Sequence, residues 1–158
     1  MPNLNDRLSF SGRQHFAAPP ERVFQVLTDI DAMAARLPSL VSKERLDDRT
    51  IRCVIRFGVA FIRPTTTLTM RVVEAVSPRH AKTRFHIEAM GTQVTVDSQF
   101  EITATGAGTS CDLAWTAEVL ESTGLAAKAA AAVAPAFVKQ VIDEGWTRVH
   151  DDIKRLPR

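Results

Sequence analysis

Between residues 40 and 120 the apolar side chains recur almost throughout on one phase of a two-residue alternation. Such a run makes a sheet with one apolar face, and that face has to be covered. The chain offers one element long enough to do so. From about Ser122 to Leu156, Phe137, Val138, Val141, Ile142, Val149 and Ile153 fall at helical spacing, with Lys139, Asp143, Asp151 and Lys154 largely opposite. Pro135 and Gly145 weaken that helix locally, Pro135 dividing an alanine-rich first section from the amphipathic part.

The strand run resolves into units. Ile51, Cys53, Ile55 and Phe57 share one phase while Arg52 and Arg56 share the other, and Leu68, Met70 and Val72 repeat the pattern. Turns are marked by Asp47-Asp48, Gly58, Ser77-Pro78, Gly91 and Gly106–Gly108. Pro64 signals an edge position or a bulge. A two-residue turn at Gly91-Thr92 pairs Phe85 with Ser98, Ile87 with Val96 and Ala89 with Val94, placing His86 opposite Asp97 on the other face. A four-residue loop over Thr105–Gly108 then pairs Phe100 with Leu113, Ser98 with Trp115 and Val96 with Ala117. This meander keeps one face apolar without a bulge.

Ahead of the run, Leu8 to Phe16 alternates as a strand and Ala17-Ala-Pro-Pro20 breaks it. Pro20 suits the first turn of a helix with Val23, Phe24 and Leu27 as its buried stripe; Asp29 can cap a second short helix that Pro38 ends. The expected fold is α+β: a curved antiparallel sheet of about six to seven strands gripping a long C-terminal helix, with two short helices after the first strand. All 158 residues form a single expected domain, 1–158.

Composition narrows the function classes. Hydrophobic residues make up 45% of the chain and charged residues 24%, and the net charge of +2 implies no nucleic-acid partner. Charge is segregated, however. Arg63, Arg71, Arg79, Lys82 and Arg84 dominate 59–84, whereas 85–127 carries acids and no Lys or Arg. A solvated face with complementary neighbours explains this, and a basic edge meeting acidic lipid or an acidic partner is the sharper reading. No secretory signal or membrane span is legible, so a cytoplasmic protein is expected, with Cys53 and Cys111 as buried free thiols.

The stretch Phe16-Ala-Ala-Pro-Pro-Glu-Arg-Val-Phe-Gln-Val-Leu-Thr-Asp29 resembles the START-like superfamily of polyketide cyclases and lipid-transfer proteins. Asp29-Ile-Asp-Ala-Met-Ala-Ala-Arg-Leu-Pro38, Val72-Val-Glu-Ala-Val-Ser-Pro78 and Ala136-Phe-Val-Lys-Gln-Val-Ile-Asp-Glu144 more specifically resemble the family of the carbon monoxide dehydrogenase accessory protein. Phe24 stands where many relatives place tryptophan, and Pro38-Ser39 replaces the usual proline-glycine. The resemblance implies a helix-grip fold with a ligand cavity. It also implies an accessory role beside a molybdenum hydroxylase, with an oxidoreductase subunit or the inner face of the membrane as partner.

Catalytic chemistry is not legible. His15, His80, His86 and His150 complete no metal-ligand spacing, and no nucleophile motif or phosphate-binding glycine loop occurs. His86 facing Asp97 is the one readable acid–base pair, and it lies away from the helix. No catalytic residue, metal or cofactor is therefore expected. The inward phase is apolar, with Ser98 and Gln14 as polar exceptions, and the indole N–H of Trp115 needs a partner that Ser98, a water or a ligand could supply. The expected ligand-lining set is Phe57, Met70, Phe85, Ile87, Val96, Ser98, Phe100, Trp115, Phe137, Val138, Val141 and Ile142. A carrier of a lipid-, quinone- or aromatic-like molecule is the leading reading. A polyketide cyclase- or dehydratase-like enzyme using the same cavity is the alternative, and a docking module built on Ala126–Ala136 is the third.

Overall fold

The computed structural model describes residues 9–37, 39–56, 65–89, 91–123 and 142–155. The elements are β1 (Ser9–Phe16), α1 (Pro20–Thr28), α2 (Ile30–Ala35), β2 (Leu40–Asp47), β3 (Thr50–Arg56), β4 (Thr65–Val76), β5 (His80–Ala89), β6 (Thr92–Thr105) and β7 (Ser110–Thr123), with a C-terminal helix α3 over 142–155. All strands pair antiparallel in the order β1-β7-β6-β5-β4-β3-β2. The helix-grip α+β expectation is met: α1, α2 and α3 cover one face of a seven-stranded sheet. Phe57, Pro64, Pro38, Pro135, Phe137, Val138, Val141 and the run Ala126–Ala136 lie outside the described residues.

The two short helices follow from local chemistry. Pro20 opens α1, where a missing N–H costs nothing, and Glu21 complements the helix dipole. Asp29 then turns extended (φ −77°, ψ 107°) and ends α1, while its carboxylate accepts from the Asp31 and Ala32 backbone N–H groups to cap α2. Val23, Phe24 and Val26 bury against the sheet, with Phe24 meeting Phe100 edge-on at 6.1 Å. Ile30 and Ala34 of α2 join a second cluster with Ile51, Cys53, Leu68, Met70 and Val72.

Both hairpin registers differ from the expected ones by two residues. The first turn closes at Ala89↔Thr92, so Gly91 (φ 75°) is its second central residue. Phe85 thus faces Val96, Ile87 faces Val94, and Ser98 faces Thr83. The second loop spans 106–109 and closes at Thr105↔Ser110, whose hydroxyls bond at 2.7 Å; Phe100 faces Trp115, Ser98 faces Ala117 and Ile102 faces Leu113. A slip of two leaves every side chain on its face, which is why alternation alone did not detect it. A bulge also occurs, contrary to expectation. Thr95 pairs with Glu121 and Val96 with Val119, so Leu120 is the extra residue. With this register β7 must run to Thr123 to meet Gln93, and the helix cannot begin at Ser122 as expected.

Ser39 has φ 52°, in the left-handed region. It occupies the position where the resembled family has glycine, so the chain carries a Cβ where the backbone disfavours one. Ser39→Gly is expected to raise stability by about 0.5–1 kcal/mol, read as a higher urea midpoint at unchanged m-value.

Candidate functional site

The inner face of the sheet forms rows of side chains. Ile51, Met70, Phe85, Val96 and Val119 make one row, and Cys53, Leu68, Ile87 and Val94 the row beside it. Val72, Thr83, Ser98, Ala117 and Phe10 make the next, followed by Ala81, Phe100, Trp115 and Gly12. Burial along the rows is uneven. Met70, Leu68, Val72 and Ala81 are buried, as is Phe100, yet Phe85, Ile87, Val94, Val96, Ser98, Ala117 and Val119 remain partly exposed in the middle of the sheet. The structure thus gathers seven described members of the expected set, Met70, Phe85, Ile87, Val96, Ser98, Phe100 and Trp115, on one face. Ile142 comes to the same side from α3 and lies close to Trp115. Sequence reasoning missed Thr83, which pairs its buried position with Ser98, and Val119, which the bulge returns to the inner face. The adjacent apolar residues Val119-Leu120 were the available signal.

The register explains Trp115. Its cross-strand neighbours are Phe100 and Gly12, not Ser98, and the indole lies directly over Gly12. A Cβ at Gly12 would sit 2.9 Å from Trp115 Nε1 and Cζ2. Among the described residues the buried Nε1 has no hydrogen-bond partner, at a cost of about 1–3 kcal/mol for such a group. A cleft of about 150 Å³ opens beside it, lined by Phe10, Ser11, Trp115, Ile142 and Asp143.

Helix α3 is held over this end of the sheet by aromatic and polar contacts. Trp146 lies 5.9 Å from Trp115 and 6.3 Å from Phe16, and His150 stacks on Phe16 at 4.4 Å. Val149 and Ile153 bury in the same cluster. His150 Nε2 meets Gln14 Oε1 at 2.8 Å, which gives the inward Gln14 its partner. Burial first, and then Lys154, lowers the His150 imidazole below its ordinary value, while Asp151 pulls the other way. A histidine lowered on folding makes the folded state bind fewer protons than the unfolded chain. Its contribution is intact above about pH 6.5 and is lost as pH falls through that value. The melting temperature is therefore expected to fall between pH 7 and pH 5.5, and His150→Gln to flatten that arm of the profile.

Arg36, just past α2, ties three helices together. Its guanidinium donates to the Val26 carbonyl at 2.7 Å and the Ala32 carbonyl at 3.2 Å, and pairs with Asp152 of α3 at 3.1 Å. Arg148 donates back to the Arg36 carbonyl. Burial pulls the Arg36 pKa down, with Asp152 and Asp29 opposing it.

The ionisable groups considered for catalysis sit elsewhere. His86 is opposite Thr95, not Asp97, and contacts Thr95 Oγ1 at 3.2 Å and Glu88 at 3.1 Å on the outer face. Asp97 instead takes a bidentate bond from Arg84 (2.7 and 3.0 Å), with Lys82 at 3.8 Å. The Arg84 hydrogen bond lowers the Asp97 carboxyl below its usual range. The segregated basic and acidic segments are therefore cross-strand neighbours that neutralise each other at this point. Glu74 also lies outside, 3.8 Å from His80. Burial raises both thiols, Cys53 and Cys111, away from a reactive thiolate. Among the described residues no group of His, Cys, Asp or Glu is placed to hold a metal. No described helix is long and apolar enough to cross a membrane.

Comparisons with known proteins agree with this geometry. A search of curated proteins returns no match. A conserved protein from Geobacillus kaustophilus superposes with TM-score 0.81 at 17% identity, covering 94% of this chain and 96% of its own. The ZhuI aromatase/cyclase of Streptomyces sp. R1128 gives TM-score 0.70 at 18% identity, with 94% of each chain covered. A START superfamily protein from Mycobacterium smegmatis gives 0.69 at 12% identity, covering 94% of this chain and 99% of that one. Residues 7–153 match the family model described as polyketide cyclase / dehydrase and lipid transport, and with the helix-grip sheet behind that match the chain belongs to this family.

Proposed function

We propose that this protein binds and carries a small hydrophobic molecule, held between the inner face of the sheet and the helices. One observation carries the reading. Mid-sheet, inward-facing apolar residues (Phe85, Ile87, Val94, Val96, Val119) stay partly exposed while the rows flanking them are buried. A packed core does not leave its centre less buried than its margins. Thr83 and Ser98 supply hydroxyls on an otherwise apolar wall, so a ligand there gains affinity from apolar contact and orientation from few hydrogen bonds. Phe57, Phe137, Val138 and Val141 complete the proposed lining from the sequence pattern alone.

The cyclase-like alternative takes its support from the family and from the aromatase/cyclase that shares the fold. It requires an acid or base facing the ligand. His86 and Glu74 face outward, so the described wall favours carriage over chemistry. The finer reading, an accessory of a carbon monoxide dehydrogenase-type oxidoreductase at a membrane surface, rests on the motifs at Asp29–Pro38, Val72–Pro78 and Ala136–Glu144. The carrier reading does not depend on it. Organic extraction of the purified protein followed by mass spectrometry is expected to release an apolar passenger in stoichiometric amount. Turnover of a poly-β-ketone substrate with no carried molecule would favour the cyclase.

A further inference from the structure

The cleft beside Trp115 combines three features. Its walls are apolar (Phe10, Trp115, Ile142), its polar residues are Ser11 and Asp143, and the indole Nε1 at its side is buried without a partner among the described residues. An indole N–H donates and never accepts. The group that would satisfy it is therefore an acceptor, and the Asp143 carboxylate at the same cleft disfavours an anionic one. The cleft is also continuous with the half-exposed wall. Phe10 is the cross-strand partner of Ala117, which in turn faces Ser98.

We propose that this cleft is the polar end of the ligand site, taking an uncharged apolar molecule whose single carbonyl-type oxygen accepts from Trp115 Nε1–H. The assignment rests on the hydrophobic-carrier reading and adds to it a ligand class and an orientation. The carbonyl points to β1 and α3, and the apolar body lies along Ala117, Ser98 and Val96. A hydrocarbon of the same shape fills the space and leaves the donor unmet.

The test uses acetophenone and its near-isostere α-methylstyrene, which has a methylene where the ketone has oxygen. Both are titrated into the full-length protein and into Trp115→Phe. Acetophenone is expected to bind about ten-fold more weakly to the variant, the loss of one buried hydrogen bond, while α-methylstyrene changes by less than two-fold. The unmutated protein gives a second readout independent of that variant's folding. In 15N-indole-labelled protein, acetophenone shifts the Trp115 Nε1–H resonance downfield and α-methylstyrene does not; Trp146→Phe, which leaves one tryptophan, assigns the peak. An indole resonance that responds equally to both probes, or an equal loss of both in Trp115→Phe, overturns the proposal. If neither probe binds but neutral N-phenyl-1-naphthylamine does, this site falls and the carrier reading stands. If none of the three binds, both fall.

Discussion

Replacing Gly12 by valine is expected to lower stability by about 2–3 kcal/mol, although valine suits a strand far better than glycine does. Strand preference alone predicts the opposite sign, a gain of up to about 1 kcal/mol. Contact decides it. The new Cβ falls 2.9 Å from the Trp115 ring, which is itself backed by Trp146 on α3 and cannot retreat without unseating that helix. The near-UV circular dichroism of the two tryptophans should change together with the melting temperature. Trimming the partner should relieve the effect, so that Gly12→Val costs less than about 1 kcal/mol in a Trp115→Leu background. An equal cost in both backgrounds would show that the crowding lies elsewhere.

The second large effect is at Arg36. Arg36→Ala is expected to cost about 3 kcal/mol, measured by denaturant unfolding. The substitution removes bonds to the Val26 and Ala32 carbonyls and leaves the Asp152 carboxylate, about one-third exposed, without its cation. Asp152→Ala should cost less, about 1–2 kcal/mol, because Arg36 keeps its two carbonyl bonds. The double mutant measures the pair directly, with a coupling of at least about 1 kcal/mol expected. Additive losses would mean that Arg36 acts through α1 and α2 alone. Since Arg36 joins both short helices to α3, its loss should also loosen the enclosure over the inner wall.

The fold was legible because its cause is periodic. Alternation along Ile51–Ile55, Leu68–Val72 and Val94–Phe100 assigns each side chain to a face whatever the exact pairing, and that is enough to require a covering helix. Cap chemistry was legible for the same local reason, and Asp29 bonds Asp31 and Ala32 as its position implies. Register was not. Gly91 and Gly106–Gly108 mark where the chain turns without saying which residue sits at the turn's centre, so both hairpins were displaced by two. The chemistry depends on that displacement. It moves Ser98 from Trp115 to Ala117, brings Arg84 rather than His86 to Asp97, and leaves the indole N–H unmet. Gly12 looked like one small residue in an alternating strand, and only the three-dimensional pairing reveals that Trp115 occupies its missing side chain's space.

The central claim is that the middle of the sheet faces a cavity and not a core, and Val96 tests it most directly. Titration with N-phenyl-1-naphthylamine should show saturable uptake of one molecule per chain. Val96→Phe should weaken that uptake about ten-fold while changing unfolding stability by less than about 0.5 kcal/mol, because the added ring enters space reserved for ligand. A protein that takes up no probe, and that loses the roughly 1–3 kcal/mol typical of overpacking when Val96 is enlarged, would contradict the account.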